Sequence, residues 1–240
     1  MRAQSRTLVV SAAALLLAAC ASTPPAGPLD VAAWAPPVDR QCEKELPLEL
    51  SMQFDLVEKM LQGGRPRAAL AHLQTVPAAA KARPEAIYLS AEAYRRIGDH
   101  DFAAERYSEL LRGCLAGYGH RGMGLVRAQQ GRFDEALRYL QQAAALEPID
   151  ADIRNDLGFA LLELGQLEAA AAQFATAVEL QVTNGRAQQN LVLSRLMQNR
   201  RAEARSLARR FELPVETLQA LEQEAERRTA LRSEIQKEDS

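Results

Sequence analysis

The chain is poor in the residues that do chemistry. Among 240 residues there are three histidines, His72, His100 and His120, and three cysteines, Cys20, Cys42 and Cys114. No two histidines stand at the spacing of metal ligands on one element, so no metal site is expected. No glycine-rich phosphate loop follows a strand, and no run alternates apolar and polar residues as a strand would. No serine sits in a nucleophile elbow. These absences argue against an enzyme, a bound cofactor or a small-molecule substrate. Aromatic residues make up only 5% and include a single tryptophan, Trp34. Four lysines are outnumbered by arginines, yet the formal net charge is only −2, so nucleic acid is a poor partner.

Alanine and leucine dominate instead, and with few β-branched residues they favour helix. Five alanines, Ala69, Ala103, Ala136, Ala170 and Ala204, recur every 33 or 34 residues. Five residues before each stands a turn former: Gly64, Gly98, Gly131, Gly165 or Asn199. Four residues after each stands Leu73, Tyr107, Leu140, Phe174 or Ala208, and three further on Val76, Leu110, Ala143, Ala177 or Phe211. A second column, Val57, Ala91, Gly124, Gly158 and Val192, lies twelve residues before the alanines. Such a period predicts an all-α stack of about five helical hairpins over residues 48–213, each small residue marking the crossing of its two helices.

Both ends are read differently. Arg2 and Arg6 precede an apolar run from Leu8 to Ala19, too short for a bilayer, which needs about 20 residues. It fits a signal peptide over residues 1–19. Leu17-Ala18-Ala19-Cys20 resembles the bacterial lipoprotein cleavage box, which implies lipidation of Cys20 and anchoring in the membrane. Ala21 and Ser22 favour the outer membrane. Residues 20–47 hold six of the eleven prolines and read as an extended tether, with Trp34 in its middle. Pro214 stops the last hairpin, and residues 214–240 read as a capping helix and charged tail, with Val215, Leu218, Leu221, Ala225, Leu231 and Ile235 as a weak apolar stripe. This acidic segment either covers the arginine-rich stretch 186–210 or both are solvated separately. Cys42 and Cys114 fall on the same side of an antiparallel stack, so a disulfide between them is expected in an oxidising compartment.

The pattern resembles the tetratricopeptide repeat, most clearly over 151–184, where Leu157-Gly158, Leu161, Gly165, Ala170, Phe174 and Ala177 stand in place. The aromatic usual early in the first helix is replaced by Ile87, His120, Arg154 and Gln188. The run Arg154 to Leu162, followed one repeat later by Asn190-Leu191-Val192-Leu193, is similar to the lipoproteins of tight-adherence (Flp/Tad) pilus systems. That resemblance implies a pilotin-like outer-membrane adaptor that helps a secretin or another pilus-assembly component. A periplasmic scaffold for cell-wall enzymes or outer-membrane protein assembly is the other reading. By the geometry of the repeat, first helices line a concave groove. Partner contacts are expected from Tyr88, Arg95, Tyr118, Arg121, Gln129, Asn155, Phe159, Leu162 and Gln189, with Phe54, Glu92, Leu125 and Leu193 beside them.

Overall fold

In the computed structural model, the structure describes residues 46–238. The signal segment, the tether, Cys20, Trp34, Cys42 and the side chain of Ile235 lie outside the residues so described. Ten helices pair into five hairpins: α1 (Leu48–Gln62) with α2 (Pro66–Thr75), α4 (Pro84–Ile97) with α5 (His100–Ser108), α6 (Ala116–Gln129) with α7 (Phe133–Leu146), α8 (Ala151–Glu163) with α9 (Leu167–Leu180), and α10 (Gly185–Met197) with α11 (Arg201–Arg210). A four-residue helix, α3 (Ala78–Lys81), bridges the first two hairpins, an element with no signal in the repeat pattern. The last helix, α12 (Val215–Glu238), follows Pro214 as expected. Among the described residues there is no strand.

The same turn closes every hairpin. Gly64, Gly98, Gly131, Gly165 and Asn199 all take positive φ, between 59° and 92°. In each, the next residue's N–H reaches back to the carbonyl five residues earlier: Arg65 to Met60, Asp99 to Tyr94, Arg132 to Arg127, Gln166 to Leu161 and Arg200 to Arg195, at 2.9–3.0 Å. This arrangement satisfies helix-end carbonyls and demands a left-handed residue. A Cβ at Gly131 would meet nothing within 4 Å, so only backbone strain opposes a side chain there. Gly131→Ala is therefore expected to cost about 1–2 kcal/mol, read as a lower denaturant midpoint with an unchanged slope.

The alanine comb lies where the helices cross. Ala69, Ala103, Ala136, Ala170 and Ala204 are wholly excluded from solvent. Residue sizes are matched across each crossing. A Cβ at Gly158 would lie 2.7 Å from the Phe174 ring, and one at Gly124 2.6 Å from Leu140. Where the second helix offers only Ala208, the first carries Val192, also buried. In the third and fourth hairpins large thus meets small, so the two backbones approach closely. Phe211 alone of its column is only half-buried, because the stack ends there.

The acidic C-terminal helix lies over the basic hairpin. It packs mainly on α10 through buried Ala225 and half-buried Leu218 and Leu221, while Val215 and Leu231 stay exposed. Glu222 and Glu226 pair with Arg205 and Arg201 at 3.0 Å. Those arginines are half exposed, so each pair contributes at most about 1 kcal/mol. Beyond them Arg228 binds Glu163 at 2.5 Å, and Arg232 donates to the Leu162 carbonyl. The helix thus grips the fifth hairpin and the end of the fourth.

Candidate functional site: the concave groove

The first helices of successive hairpins put residues about one repeat apart next to each other. Arg121 of α6 donates to Asp156 of α8 at 2.7 Å, and Asn190 of α10 donates to Asn155 of α8 at 2.9 Å. Each pair is separated by 35 residues, one repeat plus one. The same stacking opens a cavity of about 610 Å3 between α1, α4, α6, α8 and α10. Its polar walls include Glu92, Arg95, Arg96, Arg121, Asp156 and Arg186. A second, more apolar pocket of about 290 Å3 adjoins it through Tyr88 and Leu89, and is lined by Leu46, Phe54, Leu115 and Tyr118.

The charges at Glu92, Arg95, Arg121 and Asp156 are largely buried and paired. The Glu92 carboxylate accepts from Arg95 Nε and Nη2 at 3.1 and 2.9 Å, from Arg96 at 3.1 Å, and from the Tyr107 hydroxyl. Burial would raise the Glu92 carboxyl, but its hydrogen bond to Arg95, with Tyr107 and Arg96, overrides this and holds it at about 2. Burial and then the Glu92 charge push the Tyr88 phenol up to about 12, so it stays a neutral hydroxyl. Burial also pushes the Asp156 carboxyl up, and Arg121 pulls it partly back. Arg96 donates from its other side to the Leu61 carbonyl at 2.6 Å, which ties α4 to α1. The groove therefore presents preset hydrogen-bonding groups on a rigid floor. They suit a ligand that brings backbone amides and a bulky side chain.

The structure sorts the expected contact residues into three groups. Tyr88, Arg95 and Arg121 line the polar cavity. Tyr118 packs edge-on against Tyr88 with ring centroids 5.8 Å apart and borders the apolar pocket. Phe159 is partly exposed and meets Phe133 edge-on at 6.4 Å, further along the face. Gln129 and Gln189 are exposed but outside the cavity wall. Leu162 is a correction: it is fully buried in the core cluster that includes Ala225 of α12, so it offers no surface. Asn155 is likewise buried, its amide committed to Asp156 and Asn190, and serves as a strut under the floor. Asp152, Asp156, Arg96 and Arg186 were not anticipated. The one-repeat-plus-one interval between an arginine and an aspartate is the signal that would have set Asp156 opposite Arg121. Cys114, in the α5–α6 loop, is disulfide-bonded. The pairing expected with Cys42 involves a residue outside those described. Among the described residues no group of histidine, cysteine or acid side chains could hold a metal.

The tetratricopeptide-repeat family matches the chain over residues 127–194. The TPR repeat-containing protein PA4299 of Pseudomonas aeruginosa is 36% identical over 187 residues, covering 78% of this chain and 74% of its own. Two solved structures share the fold. TTC0263, a thermophilic TPR protein of Thermus thermophilus, superposes with a TM-score of 0.56 at 20% identity, over 73% of this chain and 96% of its own. YrrB, described as a TPR protein with an unusual peptide-binding site, gives 0.50 at 21% identity, over 73% and 90%.

Proposed function

Because the chain belongs to the tetratricopeptide-repeat family, whose arrays serve as protein-binding scaffolds, we propose that its concave groove receives a segment of a partner protein. The observation that carries this reading is the pairing of a polar cavity with an adjoining apolar pocket on one face. The apolar pocket takes a bulky side chain, and Arg95, Arg121 and the Tyr88 hydroxyl line the path of the backbone beside it. A photo-crosslinker placed at Tyr118 should capture a discrete partner in living cells, whereas one at exposed Arg138 on α7 should not. Capture only from α7 would overturn the groove as the binding face.

The finer reading is an outer-membrane lipoprotein that assists secretin assembly in a tight-adherence pilus system. It is supported by the Leu17-Ala18-Ala19-Cys20 box, the proline-rich tether and the resemblance of residues 154–162. Lipid on Cys20 would hold the array at the periplasmic face of the outer membrane. A Cys42–Cys114 disulfide would fasten the tether to the α5–α6 loop, in keeping with Leu46 and Leu115 lining one pocket. A Cys20→Ala strain should show several-fold fewer secretin multimers in the outer membrane. Unchanged multimers would overturn the pilotin role and favour a cell-wall or outer-membrane assembly scaffold.

A further inference from the structure

The repeat also generates an apolar row that neither the core nor the groove uses. Ile149, Val182 and Val215 stand 33 residues apart, each at the junction where a second-type helix hands over to the next first-type helix. They are 80%, 68% and 65% exposed. Leu146 and Leu180, at the ends of α7 and α9, stand behind them and are 40% exposed. In hairpins of alternating direction all these junctions fall on one edge, opposite the edge of left-handed turns that α12 reaches. Neighbouring hairpins stack at roughly 10 Å, so the row presents aliphatic tips at that interval. Leu48, 78% exposed, begins α1 on the same edge.

We propose that this junction edge is a membrane-contact surface, with the aliphatic tips seated at the boundary between headgroups and acyl chains. The inference rests on the lipid-anchor reading of Cys20. Two observations favour lipid over a protein partner. The row holds separate aliphatic side chains with no aromatic residue among them, whereas protein interfaces concentrate energy in aromatic and arginine anchors seated in pockets. A fluid apolar phase needs no complementary shape. Second, the described chain begins on this edge, at Leu46, with 45 residues of sequence before it. Disulfide-bonded Cys114 lies on the same edge, one junction from Ile149. A chain held by lipid through that segment would meet the bilayer with this side first. No described helix is long and apolar enough to cross a membrane, so contact would be peripheral. Seated so, the groove and the α12 edge both remain open to the aqueous side.

A single reporter tests it. The lipidated chain carrying Val182→Trp and Trp34→Phe is reconstituted in vesicles of phosphatidylethanolamine and phosphatidylglycerol, with and without bromine on the acyl chains. Tryptophan emission should move to the blue on vesicles and fall at least twofold with brominated lipid. A matched reporter, Gln166→Trp on the turn edge, should be unaffected. Equal emission from both lipids at position 182 would overturn the membrane edge even if the protein floats with the vesicles. A blue shift that needs no lipid and grows with protein concentration would also overturn it, in favour of a second copy of the chain. Failure to float would count against the anchor alone. The same quenching would then be read with the chain held to nickel-chelating lipid by an N-terminal histidine tag.

Discussion

Replacing Glu92 with alanine is expected to destabilise the protein by about 3–5 kcal/mol, the usual consequence of removing one partner from a buried ion pair. Three donors lose their acceptor at once: the Arg95 guanidinium, itself largely buried, Arg96, and the wholly buried Tyr107 hydroxyl. The loss should appear as a fall in the urea midpoint. Glu92→Gln, which keeps an oxygen for the hydrogen bonds but no charge, should lose less. An Ala variant within 0.5 kcal/mol of the parent would mean that the network is not energetically coupled. The same carboxylate sets an acid limit. Its folded value of about 2 lies below the ordinary 4.5, so its contribution is fully present above about pH 4.5 and is lost as pH falls towards 2. Asp156, raised by burial, has the opposite sign: what it contributes is present at low pH and lost as pH rises through its folded value. Acid unfolding of Glu92→Gln should therefore lack the part of the slope between about 4.5 and 2 that the parent shows.

The second large effect is expected at Gly122. A Cβ there would lie 2.1–2.3 Å from three atoms of the Tyr107 ring. That ring has no room to retreat, since it is fully buried and its hydroxyl is held by Glu92. Gly122→Ala should therefore exceed the ordinary overpacking cost of about 1–3 kcal/mol, and part of the loss should return in Gly122→Ala/Tyr107→Leu. Equal stability of the single and double variants would refute the contact as the cause. Because Tyr107 touches both Gly122 and Glu92, the single substitution should also disturb the groove. Crosslinking from Tyr118 should weaken in it even at temperatures where the fold persists.

Much of the framework was legible in the residues because it depends on local rules repeated five times. The turn needs a left-handed residue, and glycine or asparagine supplies it. The crossing needs a small side chain, and alanine marks it. Both are visible along the chain without knowledge of the third dimension. The groove was only half legible. Tyr88, Arg95 and Arg121 follow from the groove geometry that the resemblance to the repeat implies. Whether position twelve of a first helix faces solvent depends on what lies over it. Leu162 is sealed because α12 folds back and Arg232 binds its carbonyl, a contact across 70 residues that no period announces. The acids opposite the arginines were missed for a related reason. Asp156 reads as one more polar residue on α8 until stacking sets it against a cation from the preceding repeat.

The grip of α12 on two hairpins has a consequence for how the array comes apart. Loosening the fifth hairpin from its neighbour would also tear the clasps to Glu163 and Leu162, so that end cannot fray in small steps. Among the described residues no added helix covers the first hairpin, which Arg96 ties to the second through the Leu61 carbonyl, and its outer face shows Leu48, Met52 and Leu56. Thermal breathing should therefore enter from α1 and travel inward. Proteases should nibble this protein from its front, leaving a trimmed remnant that still carries the final three hairpins.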